Sequence, residues 1–155
     1  MPDAVAETLW FLNTLVCVRV SEREGSDGIS VLEHRAPYGD SPPLHLHRNE
    51  DEIFYVLDGE FRLQVAGEER RIGPGDGLLA PKGVPHTYRV ESQAGARWLT
   101  VTGNGDFERF VRALSRVAER NDLPEPAGAP TPQAIEALSA AAHAHGIEIV
   151  GPPLH

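Results

Sequence analysis

The sequence predicts an all-β barrel with two α-helices appended to its C-terminal side, and three observations carry that prediction. From about Thr8 to Thr102, short apolar or alternating runs are broken by Gly, Pro, Asp and Ser. The period then changes, with Phe107, Phe110, Val111, Leu114 and Ala118 recurring at helical spacing. A chain of 155 residues that is 41% hydrophobic is sized for one core. One domain over residues 1–155 is therefore expected, its barrel at about 8–102 and its helical extension at about 104–150.

Strand candidates come first in order. Leu9–Leu12, Leu15–Val18, Ile29–Leu32, Ile53–Leu57 and Arg97–Val101 are short runs rich in branched and aromatic residues. Phe61, Leu63 and Val65 alternate with Arg62 and Gln64, which sets one face to core and one to solvent, and Gly67-Glu68 reads as a hairpin turn into Arg70-Arg71-Ile72. The total is roughly eight to ten strands, enough to close a barrel. Asp106 reads as the N-cap of the first helix, and Arg109, Arg112, Arg116 and Arg120 as its polar face. A connector with three prolines spans residues 121–130. Thr131-Pro132 then reads as N-cap and first-turn proline of a second helix, which turns Ile135, Leu138 and Ala142 to one side and stops at Gly146. Ile147–Val150 is an edge-strand candidate.

Composition excludes several functional classes. A net charge of -9 repels nucleic-acid phosphates and anionic membrane surfaces, so no nucleic acid and no membrane is expected as a partner. Cys17 is the only cysteine; it lies in an apolar run and reads as a buried structural thiol. Early acidic residues, the lack of a basic leader region and the lack of an eighteen-residue apolar run give a cytoplasmic protein as the expectation. No phosphate loop, zinc CxxC pair or Ser-His-Asp ordering is present.

The chemistry lies between Gly39 and His86. His45 and His47 stand at i and i+2 on a strand, so their imidazoles share a face about 6.5–7 Å apart along the backbone and can reach one ion. Arg48-Asn49-Glu50-Asp51 is polar enough to bend the chain, and the alternation resuming at Phe54 and Val56 returns Glu52 to the same inward face. Glu50 and Asp51 are weaker carboxylate candidates, Glu50 because it falls in the bend and Asp51 because its parity is opposite. His86 follows Pro81-Lys82-Gly83-Val84-Pro85, where stiff and permissive residues fix the backbone. A lone histidine in such a chain is usually a surface or hydrogen-bonded residue. Three with one carboxylate in this pattern point instead to a metal. Imidazoles plus a carboxylate suit a divalent transition metal (Fe, Mn, Ni, Co, Cu or Zn), whereas Mg or Ca favours more oxygen ligands.

The spacing Gly39, five residues, His45, one, His47, four, Glu52, six, Gly59 resembles the first motif of the cupin family. Gly75, five residues, Pro81, one, Gly83, two, His86 resembles the second, except that the Asn expected four positions after the histidine is Val90. That Asn is not a metal ligand in the family, so the departure bears on the pocket and not on the metal. Flanking strands and the two-helix tail are similar to small bacterial single-domain cupins described as quercetin-dioxygenase-like.

The resemblance implies a cupin/jelly-roll β-barrel with one metal held by His45, His47, Glu52 and His86. It implies a small-molecule ligand and a homodimer formed by exchange of N-terminal strands, for which the apolar Leu9–Val20 segment is the candidate. A site with open metal positions and net positive charge favours an enolate, catecholate or α-keto acid. The leading expectation is a dioxygenase-like oxidoreductase in which Glu52 or a bound hydroxide takes the substrate proton. Redox-neutral isomerase, cyclase or lyase chemistry uses the same ligands, and a non-catalytic metal- and metabolite-binding protein is the third class. Phe54, Val56, Phe61, Leu63, Tyr88 and Trp98 are candidate pocket walls, with ordinary barrel core as their alternative reading. His34 lies on a strand whose facing the pattern leaves open, while His143, His145 and His155 read as capping or solvated.

Overall fold

Alternating apolar residues fold this chain into two antiparallel sheets that enclose a shared core, in a computed structural model that describes residues 7–155. The strands are β1 (Glu7–Phe11), β2 (Thr14–Val20), β3 (Ser30–Ala36), β4 (Leu44–His47), β5 (Glu52–Asp58), β6 (Phe61–Val65), β7 (Glu68–Ile72), β8 (Gly77–Ala80), β9 (His86–Val90), β10 (Ala96–Thr102), β11 (Arg116–Val117) and β12 (Ile147–Gly151). Helix α1 spans Asp106–Leu114 and α2 spans Pro132–Ala144. The larger sheet has the order β11-β1-β2-β3-β10-β5-β8 and the smaller β12-β4-β9-β6-β7. This is the all-β fold with two helices that the residue pattern predicts, in the jelly-roll form that the family resemblance implies.

Period-two burial shows how the core forms. In β5, Glu52, Phe54 and Val56 point inward while Ile53 and Tyr55 point out; in β10, Trp98, Thr100 and Thr102 point inward. Phe54, Val56 and Trp98 meet Phe61, Leu63 and Val90 of the opposite sheet. Burying each of the larger side chains contributes about 1.5–3 kcal/mol. The β6–β7 hairpin turns on Ala66-Gly67, one residue earlier than the pattern suggests, with φ of 54° and 80°. Two successive left-handed residues match the right-handed twist of the strands, and Gly67 accepts this conformation freely while Ala66 does not.

Helix α1 departs from expectation at both ends. Gly105, at φ 81°, is its N-cap and Asp106 its first helical residue; the glycine offers no side-chain cap, and the Glu50 carboxylate accepts from the first-turn Phe107 amide at 2.7 Å. It ends at Leu114, where Ser115 turns extended and donates to the Val111 carbonyl at 2.6 Å. Arg116 and Arg120 therefore leave the helix face and lie 4.7 and 5.0 Å over the Trp10 ring, while Arg116 and Val117 pair with β1 as β11. Buried Glu108 anchors α1 to the barrel, accepting from the Ser21 and Ser30 hydroxyls at 2.7 Å each and from the Glu22 amide at 2.9 Å.

Helix α2 starts as predicted, with the Thr131 hydroxyl accepting from the Ala134 amide at 3.1 Å and Pro132 in the first turn. Gly146, at φ 76°, ends it. Ala142 is buried and Leu138 partly so, but Ile135 is exposed, because only the C-terminal half of the helix lies on Phe110 and Ile147. Leu9, Trp10, Leu15 and Val16 are already buried within the chain, and β1 pairs with β2 and β11 of the same molecule. Cys17 is buried and unpaired.

Candidate metal centre

The two sheets bring four side chains to one point. His45 and His47 leave the same face of β4, and His86 opens β9 directly across from His45. Glu52 opens β5 in the opposite sheet, after the bend at residues 48–51. That bend is fixed by its own backbone: the Arg48 amide donates to the Gly146 carbonyl at 2.7 Å, and the Gly83 amide donates to the His47 carbonyl at 2.8 Å. The second contact locks the loop before His86 against the strand that carries the other two imidazoles. On the outer side, β12 pairs with β4, setting Ile147 opposite His47 and Ile149 opposite His45.

One nitrogen or oxygen from each of His45, His47, Glu52 and His86 lies within 4.8 Å of all the others. Glu52 Oε2 is 3.1 Å from Nε2 of both His47 and His86. The outer nitrogens of two rings are held by backbone: His45 Nδ1 is 2.7 Å from the Pro43 carbonyl and His86 Nδ1 is 3.3 Å from that of Val84. Donation to those carbonyls turns each Nε2 lone pair toward the cluster, the orientation a metal ligand requires. His47 differs, because both of its ring nitrogens are buried without a hydrogen-bond partner among the described residues; its Nε2 lies near Glu52 but is not aligned for a bond. Orphaned buried nitrogens beside an ionised carboxylate are what a cation would satisfy, so the donor set fits a divalent transition metal.

Electrostatics point the same way. Burial, reinforced by His86 and His47, pushes His45 down to about 3, leaving it a neutral donor. Burial alone would raise Glu52, but His47 and His86 hold its carboxyl well below the ordinary range. Burial would likewise lower His47, yet Glu52 and then Glu50 carry it up to about 9. Thus the cluster balances its carboxylate with a proton on an imidazole, which a cation bound there would displace.

The competing carboxylates separate clearly. Asp51 is exposed and accepts from the Lys82 amide at 2.8 Å. Glu50 is 4% exposed and turned inward, a placement hidden from the sequence because the bend has no period. His34 also faces inward, with Nε2 2.9 Å from the Thr100 hydroxyl, but it does not join the cluster. His143 is exposed and 2.7 Å from Glu148.

Of the candidate pocket walls, Phe54, Val56, Phe61, Leu63 and Trp98 are buried in the barrel core with Tyr88 packed against them. Phe61 and Trp98 meet edge to face at 4.8 Å, Tyr88 and Trp98 at 5.2 Å, and Phe54 lies 5.9 Å from His86. Trp98 Nε1 is buried with no hydrogen-bond partner among the described residues. Tyr88 donates to Asp40 at 3.3 Å; burial raises Asp40 to about 6 and raises the Tyr88 hydroxyl well above its ordinary value. A surface groove of about 570 Å³ lies elsewhere, on Arg62, Arg71, Arg89 and Glu91, and contains none of the four cluster residues. Among the described residues, no helix is long and apolar enough to cross a membrane.

Comparison with known proteins gives the context of this cluster. The family model described as "Cupin domain" matches residues 31–102. Quercetin 2,3-dioxygenase of Bacillus subtilis (strain 168) is 32% identical over 106 residues, 68% of this chain and 31% of that protein. Dimethylsulfoniopropionate lyase DddQ of Ruegeria pomeroyi is 38% identical over 66 residues, 42% of this chain and 32% of that protein. The chain thus spans about a third of the length of these two relatives. The solved structure of the polyketide cyclase RemF from Streptomyces resistomycificus is 25% identical, covers 65% of this chain and 74% of its own, and aligns with a TM-score of 0.53.

Proposed function

Because this chain belongs to the cupin superfamily, we propose that it is a metal-dependent, dioxygenase-like oxidoreductase that acts on an aromatic or enolisable small molecule through its chelating oxygens. The observation that carries the reading is the convergence of His45, His47, Glu52 and His86, with both buried nitrogens of His47 unsatisfied. These four residues would hold one divalent transition metal, its identity undetermined among Fe, Mn, Ni, Co, Cu and Zn. When bound, the metal supplies Lewis-acid polarisation of a substrate oxygen and, where it is redox-active, dioxygen chemistry.

The protein's own groups provide the remaining steps. Glu52, ionised beside His47 and His86, is the base that accepts the substrate's hydroxyl or α-carbon proton. The Trp98 indole N–H, buried and unpartnered, is a donor for a second substrate oxygen. Phe54, Phe61 and Tyr88 keep bulk water from the reacting face, as an aromatic substrate requires. The likeness to a lyase and to a polyketide cyclase favours a second reading, in which the same ligands and base carry out redox-neutral chemistry.

The reading includes a cytoplasmic homodimer. Val20, Val31, Val101, Ile53 and Leu79 stand in register across five strands on the outer face of the larger sheet, and Val20, Ile53 and Leu79 are exposed. An apolar row of this kind supports self-association through that face better than the N-terminal strands, which the chain covers itself.

The test is elemental analysis of protein purified without a metal-affinity tag, beside His47→Ala and His86→Ala, followed by oxygen uptake with flavonol and acyl-enol substrates. About one redox-active metal per chain, lost in both variants, with substrate-dependent uptake is the expected result. Stoichiometric zinc without uptake selects the redox-neutral reading, saturable binding without turnover removes the enzyme, and no metal after reconstitution removes the site.

A further inference from the structure

The bonds of Glu50 lead out of the histidine cluster into helix α1. Its Oε2 accepts from the Asn104 amide at 3.1 Å and its Oε1 from the Phe107 amide at 2.7 Å. The same Oε1 lies 3.8 Å from Nδ1 of His47, beyond hydrogen-bond distance, and that nitrogen has no partner. His45 and His86 have backbone carbonyls in the corresponding positions, so Glu50 is the acceptor waiting on the outer side of the third ring. Phe107 completes the circuit: its amide is on Glu50 and its ring is 5.5 Å from the His47 ring.

We propose that Glu50 is a positioning residue that ties the setting of the His47 ring to the docking of the Asn104–Phe107 segment, so that metal uptake and closure of that segment form one coupled event. The inference rests on the metal reading given above. A ring whose inner nitrogen is drawn to a cation must bring its outer N–H to an acceptor, and the carboxylate that lies there, Glu50, already holds two amides of the turn into α1. What tightens one set of contacts tightens the other, and the coupling is reciprocal.

Cobalt(II) alone, added to the full chain, tests this through three readouts: affinity by calorimetry, the visible spectrum of the bound ion, and hydrogen exchange at the Asn104 and Phe107 amides. Cobalt should slow exchange at both amides in the parent protein. Glu50→Gln keeps the size of the side chain but turns one acceptor into a donor facing an amide. It should weaken cobalt binding by about 10–100-fold, alter the spectrum and abolish the protection. Should that variant fail to fold, Asn49→Ala serves instead. It cuts the neighbouring tie to Asp106 at 2.8 Å without facing His47, and it should loosen the segment and weaken cobalt binding several-fold. Unchanged affinity in the folded Glu50→Gln protein, or exchange at these amides indifferent to cobalt, overturns the coupling and leaves the metal reading intact. A parent protein that takes up no cobalt overturns both.

Discussion

The imidazole of His34 lies flat against the indole of Trp98, with ring centroids 5.0 Å apart and planes 10° from parallel. Burial in this stack pushes His34 down to about 4, against the weaker pull of Glu52. A histidine with a depressed folded pKa contributes stability that is present above its unfolded value near 6.5 and is lost as pH falls through about 4. We expect the parent to lose on the order of 3 kcal/mol across that window relative to His34→Gln, which has no proton to take up. Chemical denaturation of both proteins at pH 7.5, 5.5 and 4.5 checks this, and parallel curves would refute it.

Metal removal should destabilise the fold. A cation bound only by the native cluster adds about 2.7 kcal/mol at one hundred times its dissociation constant. The melting temperature should therefore fall on chelation and recover on adding the metal. His86→Ala should melt at the same temperature with and without metal, as scanning calorimetry can show.

Glu108 should be among the most sensitive positions outside the cluster. Glu108→Ala leaves two hydroxyls and an amide without their acceptor and removes one of the two carboxylates on the Arg112 guanidinium, which keeps Glu7. A loss of about 3 kcal/mol, from the unsatisfied hydroxyls and amide, is expected in urea denaturation. A loss under 1 kcal/mol would mean that water replaces these bonds.

Ala66 offers the opposite sign. Its left-handed φ of 54° in the β6–β7 turn suits Asn or Gly better than Ala. Ala66→Gly and Ala66→Asn should each stabilise the protein by about 0.5–1 kcal/mol, read as a higher denaturation midpoint with unchanged slope.

The exposed row on the larger sheet predicts a specific break. Ile53→Glu with Leu79→Glu should turn a dimer into a monomer by light scattering at micromolar concentration, with the circular dichroism spectrum retained. A parent that is already monomeric would remove the dimer from the reading.

Parity explains most of what could be read in the sequence. Inward and outward residues in β5 and β6 alternate so cleanly that Glu52 had to share a face with Phe54, and Thr131-Pro132 carried its own cap chemistry. Where no period operates, the reading stops. Glu50 sits in a bend, so nothing local marks it as buried. Arg112, Arg116 and Arg120 are four apart and mimic a helix face; only contact with Trp10, far away in sequence, draws the last two off it. The left-handed pair Ala66-Gly67 hid because alanine seldom occupies such a turn.

The pairing of β12 with β4 sets an order on assembly. The strand that carries His45 and His47 lies between β9 and a segment far along the chain, so its outer backbone groups have no partner until Ile147–Gly151 arrives. Contacts so distant along the chain form late and slowly. A growing chain therefore displays its histidines before β12 can hold their strand in register.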